Sequence, residues 1–151
     1  MNPLQQTKVV RAIEPVAIVD DGSWTCQAID TKGFDFALVI WHLGASDIAM
    51  AALKLTECDT SGGSYADVSG ADFDGDTDMD GSAAALPSAT DDNKFELIDV
   101  DLRKRKRYLK VTATAGDGTS GTYGTCIVLL GRAGQMPNTC AERGAEHVLQ
   151  V

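Results

Sequence analysis

"FDFALVIWHLG", residues 34–44, decides the fold. Phe36, Leu38 and Ile40 alternate with Ala37, Val39 and Trp41, so the period is that of a strand, and both of its faces are apolar. A strand apolar on both faces needs cover on both sides. Outward from it, the flanking segments read the same way. Upstream, "TKG" turns the chain, and "WTCQAID" alternates, with Trp24, Cys26 and Ala28 on one face and Thr25, Gln27 and Ile29 on the other. "DDGS" turns it again, and "KVVRAIEPVAIV" is β-rich but broken by Pro15, which suits an edge strand or an arm.

Downstream, "DIAMAALKLTEC" starts with residues that favour a helical turn and ends as a strand with Leu53 and Leu55 inward. A polar stretch from Asp59 to about Asn93 follows, with a short strand expected near "SYADV". Its length marks it as functional or as an exposed excursion. "KFELIDVDL" and "RYLKVTATA" are two further strands; in the second, Leu109, Val111 and Ala113 oppose Tyr108, Lys110, Thr112 and Thr114. "GDGTSGT" reads as a flexible turn and "YGTCIVLLG" as the last strand. The tail carries glycines and Pro137, with a short helix expected near "CAERGAEHV".

Short strands with glycine-rich turns predict an all-β, antiparallel β-sandwich, jelly-roll-like, with a β-barrel as the nearest competitor. The expected division is an N-terminal arm or edge strand over 1–20, a sandwich over 21–131 and a C-terminal arm over 132–151. The expected core is Phe36, Leu38, Val39, Ile40, Leu109, Val111, Ile127 and Leu129.

A net charge of −9 opposes nonspecific binding to nucleic acid or to an anionic membrane. No stretch reaches the roughly 18 apolar residues of a membrane span. The first residues hold no apolar run of signal-peptide length, so a soluble, cytoplasmically made chain is expected. Cys26, Cys58, Cys126 and Cys140 include no C-x-x-C pair, so they read as reduced, mostly buried thiols rather than zinc ligands.

"ADFDGDTDMDGS", residues 71–82, places Asp72, Asp74, Asp76, Asp78 and Asp80 at every second position. As a calcium loop of the EF-hand type, a start at Asp76 puts Gly81 correctly at the sixth position but Pro87 at the twelfth, where a bidentate glutamate belongs. The match fails, and a solvated acidic loop is the expectation, with a weak non-EF cation site as the alternative. "RKRKR", Arg103, Lys104, Arg105, Lys106 and Arg107, is a charged strand edge or hairpin, a partner-binding patch, or a nucleic-acid patch, the last opposed by the overall acidity. These five residues are the candidate partner interface. No catalytic constellation assembles around His42 or His147, and no G-x-S-x-G, H-E-x-x-H or phosphate loop is present, so no enzyme, cofactor or metal site is expected.

"IDTKGFDFALVIWHLG", then "LKLTECD", then "IDVDLRKRKRYLKVT" resemble, in order and spacing, small structural proteins of tailed-phage virions. The residues that carry the resemblance are Asp30, Gly33, Phe34, Leu43, Gly44, Asp99, Leu102, Arg107, Tyr108 and Leu109, within about residues 8–131; the tail and the aspartate run lie outside it. The resemblance implies a head decoration, or cement, protein: a β-sandwich that oligomerises, often as a homotrimer, on the outer capsid surface with the major capsid protein as partner. A tail or head–tail connector component and a carbohydrate- or calcium-binding sandwich module are the alternatives.

Overall fold

The computed structural model describes residues 3–150. Met1, Asn2 and Val151, the outermost residues of the two expected arms, lie outside the described residues. Among the described residues eight strands follow in order: β1 Lys8–Ile13, β2 Ile29–Asp30, β3 Phe34–Leu43, β4 Ala52–Cys58, β5 Ala66–Asp72, β6 Phe95–Asp101, β7 Tyr108–Thr114 and β8 Gly124–Ala133. They form two four-stranded sheets, ordered β1-β8-β3-β6 and β2-β7-β4-β5. Every pairing is antiparallel. First beside eighth beside third beside sixth, facing second beside seventh beside fourth beside fifth, is the strand order of a jelly roll.

The core lies between the sheets. From the first sheet it takes Ala37, Val39, Trp41 and Leu43 of β3 and Cys126, Val128 and Leu130 of β8; from the second, Leu53 and Leu55 of β4 and Leu109, Val111 and Ala113 of β7. Trp24 and Trp41 meet edge to face near its middle, with ring centroids 5.1 Å apart. Of the expected core, Val39, Leu109 and Val111 are buried. Phe36 and Ile127 are instead 39% and 38% exposed, and Leu38, Ile40 and Leu129 are half-buried. All five lie on the outward face of the first sheet. Period two fixes which residues share a face, but where both faces are apolar it does not fix which one turns inward.

The segment read as the strand "WTCQAID" pairs regularly only at Ile29–Asp30. Trp24 N–H still donates to Ala113 O, but Val111 N–H donates to the Cys26 sulfur at 3.2 Å instead of to a backbone carbonyl. That breaks the ladder and the alternation, so Trp24 and Ile29 are both buried. The turn 116–121 is pinned from two sides: Thr119 and Ser120 N–H groups donate to Asp47 Oδ2, and Gly118 N–H donates to Asp20 Oδ1. The first half of "DIAMAALKLTEC" forms a bend, and residues 139–144 form turns rather than a helix. They lie against β1: Val9 N–H donates to Arg143 O at 2.9 Å, and the Arg143 guanidinium donates to Leu4 O and Thr7 O.

Candidate functional site

The basic run lies between the sheets' ends, in a 3-10 turn at Leu102–Lys104 and the approach to β7. Four of its five charges are answered within the chain. Arg103 holds Asp101 through two hydrogen bonds, Arg105 lies 3.6 Å from Glu57, Lys106 lies 3.6 Å from Asp59, and Arg107 holds Asp30 through two hydrogen bonds. The Arg103 guanidinium, bonded to Asp101, holds that carboxyl down at about 2, and Arg107 lowers Asp30. Among the described residues, Lys104 alone of the five makes no ion pair. The run thus joins β2, β4 and β6 to the start of β7.

The aspartate run is a tight double turn after β5. Its carboxylates accept from their own backbone: Asp72 Oδ1 from Asp74 N–H, Asp76 Oδ2 from Asp72 N–H, and Asp78 Oδ1 from both Asp80 and Ser82 N–H groups. Among the described residues, no three His, Cys, Asp or Glu side chains converge as metal ligands would.

The four thiols are free. Burial pushes the Cys126 thiol up to about 12, so it stays protonated and unreactive at neutral pH. His42 stacks on Phe95 at the surface, with ring centroids 4.4 Å apart.

The most distinctive surface is the outward face of the β1-β8-β3-β6 sheet. The register lays it out in rows. Phe95, His42 and Thr125 form the first; Leu97, Ile40, Ile127 and Arg11 the second; Asp99, Leu38, Leu129 and Val9 the third. Asp101, Phe36 and Gly131 form the fourth, where the Arg103 guanidinium sits 5.4 Å from the centre of the Phe36 ring. Phe95 and Leu97 are 60% and 54% exposed. Candidate residues chosen by charge did not include this surface, although its signal was present in the two apolar faces of residues 34–44. No helix among the described residues is long and apolar enough to cross a membrane. No protein-family model, curated protein or solved structure matches the chain.

Proposed function

We propose that the chain is a virion structural protein, a decoration (cement) protein that binds the outer surface of a phage head as a homo-oligomer, with the major capsid protein as its partner. The observation that carries this reading is the apolar outward face of the β1-β8-β3-β6 sheet. Apolar side chains gathered on the outer face of a domain that has already closed one core are a common mark of a surface that another protein covers. Jelly rolls serve viral capsids and also lectins, so the fold narrows the field without choosing within it. The resemblance of residues 8–131 to virion proteins supports the first of these.

The work such a protein does is mass action. Binding the assembled shell but not its dissociated subunits stabilises the shell by about 2.7 kcal/mol per site at a hundredfold excess over Kd. Icosahedral symmetry repeats that gain at every site.

Electron microscopy of purified particles labelled with an antibody to the chain tests the reading. Label over the head is expected; label confined to the tail, or no label, overturns it. The basic run is tested at Lys104, because reversing its neighbours would set like charges against Asp30, Glu57, Asp59 and Asp101. If the run meets the capsid, Lys104→Glu reduces co-sedimentation with stripped heads while leaving the thermal midpoint unchanged.

A further inference from the structure

We infer that the outward face of the β1-β8-β3-β6 sheet binds a second copy of this chain across a two-fold axis running along the strands. The inference rests on the reading above only in treating this face as an assembly surface, and it names what covers it.

Area is the first argument. Phe36, Phe95, Leu97 and Ile127 are 39%, 60%, 54% and 38% exposed. At about 200 Å² per large side chain they leave roughly 400 Å² open on one face. With the half-buried Leu38, Ile40, Leu129 and Val9 between them, two such faces bury on the order of 1,000 Å² together, the lower bound for a specific interface.

Charge selects the occupant and the axis. Besides Asp101, which Arg103 already holds in the fourth row, two charged side chains lie within the rows: Arg11 on β1, at one side of the sheet, and Asp99 on β6, at the other. Among the described residues Asp99 has no ion-pair partner, and Arg11 pairs with the exposed Glu14. A two-fold axis along the strands lays β1 of each copy over β6 of the other. Arg11 then faces the neighbour's Leu97 row, one row from its Asp99. That is about 7 Å along the strand, within the reach of an arginine. The contact occurs twice, as an isologous interface requires. An axis across the strands would set β1 against β1 and β6 against β6, bringing like charges near one another.

Three of the four sheet edges are poorly suited to strand-to-strand association. The β1 edge is covered by residues 143–144, β5 is irregular and carries Gly70 at a φ of 80°, and β6 turns Glu96 inward beside Trp41. Such features discourage edge-to-edge pairing. The outward side of the second sheet carries Lys54, Lys110, Thr112 and Thr114.

Sedimentation equilibrium of the full chain reads the outcome. A reversible dimer is expected. Leu97→Lys should raise its Kd ~100-fold or more, as loss of a central anchor does. Arg11→Asp and Asp99→Arg should each raise it ~10-fold, and the double swap should return it to within ~3-fold of the parent. Unchanged thermal midpoints show that the variants, altered at exposed positions, are folded. A monomer at ~100 µM, where even a small specific interface forms, overturns the inference, as does a trimer or a dimer indifferent to Leu97→Lys. A monomer that still labels phage heads defeats only the two-fold contact. A dimer absent from particles defeats only the virion reading.

Discussion

Gly124 is held to hydrogen by Trp41. It pairs with Leu43 at the start of β8, and a Cβ there would overlap the Trp41 ring. Alanine has the better strand propensity, but the indole is locked in the core and cannot retreat. Gly124→Ala is therefore expected to destabilise the fold by about 1–3 kcal/mol, the usual result of overpacking, read by chemical denaturation. Nothing in "YGTC" reveals this, because the constraint comes from a ring 83 positions earlier in the chain. Titration adds a second consequence at this scale. Asp101 and Asp30 are lowered by hydrogen bonds from Arg103 and Arg107. A lowered carboxyl contributes stability in full above its unfolded value, about 3.9, and loses it as pH falls through the folded value. For Asp101 the window runs from about 4 down to about 2. The thermal midpoint should fall across that window, and less steeply in Asp101→Asn. Both carboxylates are exposed, so the effect is small.

Elements were legible wherever alternation was clean. "ALKLTEC" became β4 residue for residue, because Leu53 and Leu55 had polar neighbours to mark the outside. In β3 and β8 both faces are apolar, and the pattern does not say which turns inward: Val39 is core as expected, but Phe36, Leu38, Ile40, Ile127 and Leu129 face outward. β2 was legible only at its end, because a cysteine sulfur taking a backbone amide leaves no trace in a hydrophobic pattern. The corrected facing makes a paired test. Val111→Asp puts a carboxylate into the core and should cost several kcal/mol, enough to unfold the domain. Ile127→Asp, on the outward face, should leave it folded by circular dichroism. The loop after β5 behaves differently. Asparagine keeps the side-chain oxygen that accepts the backbone amides at Asp76 and Asp78. Replacing Asp76, Asp78 and Asp80 together with asparagine should leave the thermal midpoint within about 2 °C. Calcium titration calorimetry on the parent should give no dissociation constant in the micromolar range or tighter, since the loop lacks the ligand set such affinity needs.

At the scale of the whole molecule, the two-layer, all-β, jelly-roll-like class could be read from strand count and turns, but which strand pairs with which could not. Neighbours in the sheets are remote in the chain; the Thr125 hydroxyl, for instance, bonds Ile13 O across 112 positions. No local pattern encodes such a pairing, and it emerges only when the inward faces find one another. The candidate site divided in the same way. The charges of residues 103–107 were conspicuous in the sequence, yet four of them are spent on carboxylates of the same chain. The apolar outward face was hidden among residues that could equally have been core.

The pairing of β1 with β8 also decides how the domain bears load. Lys8 lies opposite Leu130 and Ile13 opposite Cys126, so the outer ends of both strands leave the sheet on the same side. A pull applied through residues 3 and 150 does not slide one strand along the other, which would strain all the rungs at once. It opens them singly, as a zipper does, after first breaking the links from Arg143 to Leu4, Thr7 and Val9. A domain tethered by its two ends would therefore yield at low tension, whereas one gripped by its broad sheet face would transmit the strain intact.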